Sequence, residues 1–290
     1  MKNCKHLFVL MLVLVISGCD DDSGHNHDDH DHDVDALTLD NCESSFGTGV
    51  DLFYSTYFSC VDATISGDNT VITSDNLPPY ESWYYSESNG NHIDYVSQGT
   101  GYYLNPNSIS SQNLSVSIPD NPTSKGLTIN EALVDGSVGT SADEYGMGPV
   151  GVALNGVALF NPLAAPPDDI EDEKYSFDYY SGHPTFDGTY HYHTTTKGPL
   201  EVLLEKGLIE TATVGSAEVE LYGMMCDGTV ILGCTELDGS TPDNSGFDAQ
   251  NGHVHDIGDG TTTFFTDRYH THICTDIFTG FKFTPEIQYY

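Results

Sequence analysis

Six histidines of this chain form three pairs in which a single residue separates the two imidazoles. The pairs are His191-Tyr192-His193, His253-Val254-His255 and His270-Thr271-His272. Residues two apart on a β-strand point to the same face and lie about 6.5 Å apart along the chain. Two such imidazoles can bind one ion through metal–nitrogen bonds of about 2 Å. On a helix they would point to different sides. The spacing therefore predicts a transition-metal site carried by strands.

A single pair of this kind is more often a surface feature or a hydrogen-bonded core feature. The prediction depends on the presence of three pairs between residues 191 and 272. Imidazoles suit zinc, copper, nickel and iron, and geometry selects among these metals; we expect copper or zinc. The pairs could give three or four ligands to one ion, or serve two ions. The sequence contains no His-Cys-His segment like that of multicopper oxidases, which argues against a blue-copper site.

Other polar residues near the pairs are weaker candidates. His183 is held extended by the proline that follows it, and it could be a further ligand or could orient one. His92 lies far upstream, and we expect it to make a structural hydrogen bond. Four aspartates flank the pairs and could orient imidazoles or act as a general base beside a bound water, although surface solvation is the simpler expectation. They are Asp187, Asp248, Asp256 and Asp267.

The elements that must position these residues are short. From Cys42 onward, β-forming segments alternate with Gly, Asn, Asp and Pro, which predicts a mainly β fold, a single domain of many short antiparallel strands with little helix. Residues 150–160 predict a hairpin in which Asn155-Gly156 takes the positive φ angles of a type I′ turn. Segments 83–85, 217–222 and 261–265 also suit strands. One helix is expected to begin at Pro199 and to end at Gly207. We find no internal repeat of fixed period.

Several motifs occur in an order that resembles the YHYH-domain proteins. The resemblance is carried by residues 148–161, Gly182-His183-Pro184 and Tyr190-His191-Tyr192-His193, by residues 89–93 and 117–119 upstream, and by Tyr222-Gly223, residues 248–253 and residues 269–272 downstream. It covers roughly residues 80–280. Thr271 departs from the pattern where Tyr192 keeps it, and residues 42–78 lie outside it. The family is known chiefly as extracellular, so the resemblance implies a domain and a location but no reaction.

The N-terminus predicts export and lipid attachment. Residues 1–18 have the basic start and the apolar run of a signal peptide, and the run is too short to span a bilayer as a helix. The segment that follows the run looks like the lipobox of bacterial lipoproteins, which makes Cys19 the predicted lipidation site. We therefore expect the protein in the bacterial cell envelope, anchored to the membrane by lipid on the periplasmic or cell-surface side.

Residues 19–40 predict a disordered tether, because residues 20–33 include no apolar side chain. Its four histidines alternate with carboxylates and should bind metal weakly. They are His25, His27, His30 and His32. The YHYH-like β-rich domain would then cover residues 41–290. The chain has 8 basic and 44 acidic residues, which argues against a general nucleic-acid binder because phosphate contacts need Lys and Arg.

Five cysteines remain in the exported part beyond Cys19. In an oxidising envelope we expect disulfides. Cys42–Cys60 and Cys226–Cys234 are the plausible local pairs, leaving Cys274, although spacing leaves the connectivity open.

Together these features favour a lipid-anchored protein that binds copper or zinc through its His-x-His pairs. A metal-dependent hydrolase or oxidase at the same site is one alternative, and a structural or adhesion module without metal is another. The sequence contains no Gly-x-Ser-x-Gly nucleophile motif. Whether the protein is an enzyme stays open.

Overall fold

The structure is a computed structural model that describes residues 42–274 and 283–290. The predicted signal peptide (1–18), the lipidation site Cys19 and the tether histidines His25, His27, His30 and His32 lie outside the described residues. As predicted, the fold is mainly β, with 25% strand and 10% helix. No helix in the described ranges has the length and apolar character needed to cross a bilayer.

The described residues form twelve short strands, three α-helices and two short 3-10 helices, Lys174–Ser176 and Asn244–Gly246. The strands are β1 (Ser45–Phe46), β2 (Asp62–Ser66), β3 (Asn69–Ser74), β4 (Leu114–Pro119), β5 (Gly151–Ala153), β6 (Ala158–Leu159), β7 (Gly182–Pro184), β8 (Tyr190–Tyr192), β9 (Leu221–Met225), β10 (Val230–Leu232), β11 (Gly252–Gly258) and β12 (Thr263–His272). The helices are α1 (Leu52–Tyr57), α2 (Ile170–Glu173) and α3 (Lys197–Glu205). One sheet has the order β1-β2-β3-β4, and the other has the order β11-β12-β10-β9-β5-β6-β8-β7.

Both sheets are mixed, so the expectation of antiparallel strands alone is wrong. β1 and β2, β6 and β8, and β10 and β12 pair in parallel. Parallel neighbours need a long connection, because the chain must return to the same end of the sheet before it runs alongside. Residues 160–189, which include α2 and β7, supply that connection between β6 and β8.

The predicted hairpin is confirmed as β5 and β6, but its turn differs from the expectation. Asn155 does not have a positive φ, whereas Gly156 has a φ of 77°. The Gly156 N–H donates to the Ala153 carbonyl (3.0 Å), and the Ala153 N–H donates to the Val157 carbonyl (2.8 Å). This is a three-residue connection closed by a positive-φ glycine rather than a type I′ turn.

The other predicted elements agree in part. The helix is confirmed, but α3 begins at Lys197 after the Thr196 N-cap, and Gly207 follows its end with φ of 69°. Residues 83–85 form a turn rather than a strand. β9 and β12 cover only the ends of segments 217–222 and 261–265.

The eight-stranded sheet is an internal duplication. Counted outwards from the centre of the sheet, one half has the strand order β5, β6, β8, β7 and the other half has the order β9, β10, β12, β11. The two halves therefore have the same topology. At the centre of the sheet, Gly151 pairs with Met225, Val152 with Met224, and Ala153 with Gly223. Each half thus offers the other the same edge strand, as in the contact of a two-fold dimer.

This duplication has no fixed period in the sequence, because its spacing drifts. Matched glycines of the two hairpins, 156 and 228, lie 72 residues apart; matched histidines 183 and 253 lie 70 apart, and 191 and 270 lie 79 apart. Loops of unequal length, and few identical residues in the hairpins, remove any fixed period.

The disulfides correct one of the two predicted pairs. Cys42–Cys60 is confirmed, but the second bond joins Cys234 to Cys274, and Cys226 is free. Cys226 follows β9 at the turn of its hairpin with β10, whereas Cys234 lies at the open end, so the two are far apart in that ladder. The parallel ladder of β10 and β12 brings Cys234 beside Cys274, because the two strands end in register at Leu232 and His272.

Candidate metal centres

We call the half of the large sheet that contains β5 to β8 the first repeat and the half that contains β9 to β12 the second repeat. Three histidines of the first repeat form a buried cluster. His183 on β7 stands directly opposite His191 on β8, and His193 follows two residues later. The Nε2 atom of His191 lies 3.1 Å from that of His183 and 3.0 Å from that of His193. All three side chains are at most 3% exposed. The pair and the isolated histidine therefore meet at one point.

Hydrogen bonds fix the tautomer of two of the three rings. The Nδ1–H of His191 donates to the Thr189 carbonyl (3.0 Å), and that of His193 donates to the Asn161 carbonyl (2.5 Å). The His183 Nδ1 atom lies 2.7 Å from the Ser176 hydroxyl oxygen. His191 and His193 thus carry their protons on Nδ1, and their bare Nε2 lone pairs face each other. This is the arrangement of metal-binding imidazoles, whose outer nitrogen is held by the protein.

Burial keeps this cluster uncharged. It lowers the pKa of His193 to about 4. For His183 and His191, burial and the neighbouring imidazoles hold the pKa well below the ordinary value. Glu173 lies at the edge of the cluster, with its Oε1 atom 3.7 Å from His183 Nε2. Burial, and to a lesser extent the charge of Asp168, raises the pKa of Glu173.

The second repeat repeats this cluster and adds a carboxylate. His253 on β11 stands opposite His270 on β12, and His272 follows two residues later. The Nε2 atoms of His253 and His272 lie 3.2 Å apart. The Glu236 carboxylate oxygens lie 3.3 Å from His270 Nε2 and 3.4 Å from the Nε2 atoms of His253 and His272. Four side chains therefore converge, each with one atom within 4.8 Å of the others.

Backbone carbonyls again hold the outer nitrogens. The Nδ1–H of His270 donates to the Arg268 carbonyl, and that of His272 donates to the Gly233 carbonyl, both at 3.0 Å. Their Nε2 atoms are thus bare where they face the carboxylate. The Nε2 atom of His270 is buried without a hydrogen-bond partner in the described structure. A cation between these atoms would satisfy all of them.

Electrostatics concentrate negative charge at this second centre. Burial opposes ionisation of Glu236, but hydrogen bonds from the imidazoles of His270, His272 and His255, when their Nε2 atoms carry a proton, outweigh it and hold the pKa of the carboxyl well below its usual range. His255 reaches the same carboxylate, with its Nε2 atom 3.0 Å from Glu236 Oε1. Partial burial lowers the pKa of His255, but the hydrogen bond with Glu236 outweighs burial, so the pKa is raised. Burial first, and then His270, lowers the pKa of His253 to about 4.

Two loops with the same hydrogen-bond pattern, one in each repeat, position the first histidine of each centre. In the first repeat the Asp178 carboxylate accepts the backbone N–H groups of Tyr180 (2.9 Å) and Gly182 (3.3 Å) and the Tyr190 hydroxyl (2.8 Å). These bonds fold the loop onto the strand that carries the pair. Gly182 lies under the Tyr190 ring, where a Cβ would overlap the hydroxyl.

The second repeat contains the same loop. The Asp248 carboxylate accepts the N–H groups of Gln250 (3.0 Å) and Gly252 (2.9 Å) and the Tyr269 hydroxyl (2.7 Å). Gly252 lies under the Tyr269 ring, where it too leaves no room for a Cβ. The signature of both repeats is therefore Phe-Asp-x-x-x-Gly-His followed by Tyr-His-x-His.

The phenylalanine of that signature packs on the imidazoles. The ring centroid of Phe177 lies 4.9 Å from that of His183 in an edge contact and 6.1 Å from that of His193 in a stacked one. Phe247 makes the same edge contact with His253 at 4.8 Å, and it stacks on His272 at 5.1 Å. The two centres are therefore built alike down to the apolar side chain that covers them.

A comparison with known families agrees with this geometry. Residues 115–242 match the model of the family described as YHYH protein. This match bears out the resemblance to the YHYH family over that segment. The match is shorter than the resemblance over residues 80–280; it contains the whole first centre and Glu236, and it ends before His253. No curated protein and no solved structure matches the chain.

The tetrapeptide that names the YHYH family has two faces in this chain. Tyr190 and Tyr192 are fully buried, and their hydroxyls bond Asp178 and Tyr80. His191 and His193 point to the other side, towards His183. The alternation of a β-strand therefore separates the side chains that anchor β8 from those that can bind a metal.

The three pairs do not share one pocket. His191 and His193 belong to the first centre with His183, whereas His253, His270 and His272 belong to the other centre with Glu236. His255 only reaches the Glu236 carboxylate. β8 and β12 are five strand steps apart in the sheet, which is about 24 Å at about 4.8 Å per step. Of the two arrangements that the spacing left open, only separate centres fit this topology.

The polar neighbours of the YHYH strands mostly follow the simpler sequence expectation, since Asp187, Asp256 and Asp267 are exposed. The carboxylates of Asp187, Asp248 and Asp256 accept backbone N–H or hydroxyl groups, so orienting the imidazoles falls to carbonyls and Ser176. Sequence reasoning missed Glu236 because no histidine is near it in the chain. His92 makes a hydrogen bond of the expected kind, since its Nδ1 atom lies 2.7 Å from the Tyr85 carbonyl.

Proposed function

We propose that this protein binds two transition-metal ions, zinc or copper, one in each repeat. The ligands of the first ion are His183, His191 and His193. Those of the second are Glu236, His253, His270 and His272, with His255 bonded to the carboxylate. The observation that carries the proposal is the convergence of bare Nε2 lone pairs, which occurs in both repeats with the same outer hydrogen bonds.

The distances suit a metal. With metal–nitrogen bonds of 2.0–2.1 Å, tetrahedral geometry separates two ligand atoms by about 3.3–3.4 Å. Three pairs of Nε2 atoms lie 3.0–3.2 Å apart, and Glu236 lies 3.3–3.4 Å from the Nε2 atoms of the second centre. All ligand atoms of each centre lie within 4.8 Å of one another. Imidazole and carboxylate ligands without sulfur favour Zn(II) or Cu(II) over a thiolate-type Cu(I) site.

The location that we propose is the bacterial cell envelope, with lipid on Cys19 as the anchor. The sequence of the first 19 residues supports it, and two disulfides in the domain suit an oxidising compartment. In this proposal His25, His27, His30 and His32 bind metal weakly, because ordering a flexible segment costs conformational entropy.

Elemental analysis of variants tests the two-ion proposal. After dialysis that removes weakly bound metal, the protein should retain two ions. His193→Ala and His272→Ala should each retain one, and the double variant none. His92→Ala is the matched control, because this histidine bonds only a backbone carbonyl and a distant carboxylate, and it should retain two. Full metal content in the double variant would refute the proposal.

A further inference from the structure

The two centres differ in the size of two side chains around them, which the duplication allows us to compare position by position. Counting from matched hairpin glycines 156 and 228, the position of Glu236 in the second repeat corresponds to Ala164 in the first. The position of His255 corresponds to Thr185, because His255 pairs with Arg268 on β12 as Thr185 pairs with Thr189 beside β8. Two side chains that crowd the second centre are therefore small in the first.

A cavity lies beside the first centre. It has a volume of about 430 Å³, and Thr185 and all three histidines of the first centre line it. Phe160, Leu163 and Met147 form much of its wall, and Phe186, which is 91% exposed, stands at its mouth. The cavity is thus a mostly apolar pocket with a few polar groups at its base, which is the usual form of a small-molecule site.

The charged groups of this cavity are acidic. Glu173 and Asp187 line it, and the whole chain has a formal net charge of −36. An anionic ligand would meet unfavourable potential there. Glu173 lies beside His183, so its carboxylate can accept a hydrogen bond from a ligand that reaches the metal.

We infer that the first centre keeps an open coordination position at which a small uncharged molecule binds the metal, whereas the second centre is closed. The ligand gives a nitrogen or oxygen lone pair to the metal, donates an N–H or O–H to Glu173, and packs an apolar body against Phe160 and Met147. Three protein ligands with one free position are the pattern of reactive metal sites, and four protein ligands are the pattern of structural ones. This inference rests on the proposed two-ion function.

Cobalt(II), which reports its coordination through visible absorption, separates the two centres. His272→Ala leaves cobalt in the first centre alone, and His193→Ala leaves it in the second. Titration with imidazole, an uncharged lone-pair donor with an N–H, should shift the cobalt bands of His272→Ala at a concentration at least tenfold lower than those of His193→Ala. Azide, the anionic probe, should require a higher concentration than imidazole in His272→Ala.

A second pair of variants keeps the test decisive if either alanine variant fails to fold. Glu236→Ala gives the second centre the residue of the first, and it should make that centre respond to imidazole. Ala164→Glu should suppress the response of the first. Cobalt bound at both centres with equal imidazole responses, or with none, overturns the open position and leaves two-ion binding intact. Azide binding at lower concentration than imidazole overturns the uncharged ligand. Absence of bound cobalt refutes the two-ion function itself.

Discussion

The buried carboxyl group of Asp178 should make the stability of the metal-free protein depend on pH. Its side chain is 3% exposed, and burial raises its pKa to about 6 despite the hydrogen bonds from Ser82 and Tyr190. In the unfolded chain the value is near 3.8. As pH rises from 4 to 6, the unfolded chain loses this proton first, so ionisation favours unfolding. A shift of about two units corresponds to about 3 kcal/mol in all, of which about 2.4 kcal/mol is lost between pH 4 and pH 7 because the unfolded carboxyl is already more than half ionised at pH 4.

Asp178→Asn isolates this effect, because the amide cannot ionise and its oxygen can still accept the backbone N–H groups of the loop. Urea unfolding of both proteins in EDTA at several pH values gives the difference in free energy of unfolding, in which the histidine titrations common to both cancel. The asparagine variant should gain about 2.4 kcal/mol relative to the parent between pH 4 and pH 7. A difference that stays constant within about 0.5 kcal/mol across that range would refute the assignment.

Three further predictions concern the metal, a disulfide and the anchor. Chelation should lower the melting temperature, since each ion at a hundredfold excess over its dissociation constant stabilises the fold by about 2.7 kcal/mol; calorimetry that shows no change would contradict bound metal. Cys274→Ser opens a loop of 40 residues and should cost about 4 kcal/mol in chemical denaturation, whereas the control Cys226→Ser should change stability little. Cys19→Ser should abolish lipid labelling and release the protein from membranes, and persistent labelling would disprove the anchor.

The sequence was informative where local chemistry decides the outcome. Alternating histidines predicted strands because only a period of two places both imidazoles on one face, and β8, β11 and β12 carry them. The hairpin and α3 followed from turn and capping residues. Glu236 and the bond between Cys234 and Cys274 could not be predicted, because both depend on which strands become neighbours. The duplication was hidden for the same reason: its register is fixed by pairing, while its loops differ in length.

The geometry also bears on the alternative in which the histidines only cross-link strands. In a structural role, each imidazole N–H would donate to an acceptor and each unprotonated imidazole nitrogen would accept from a donor. Here the Nδ1–H groups of His191 and His193 donate to carbonyls. The Nε2 atoms of the two neutral rings therefore lie 3.0 Å apart with no proton between them. Such contacts are repulsive in a buried site, where an unpaired polar atom costs about 1–3 kcal/mol. A cation converts the repulsion into coordination. The same arrangement of imidazoles, with the same carbonyl partners in both repeats, is what metal binding explains and cross-linking does not.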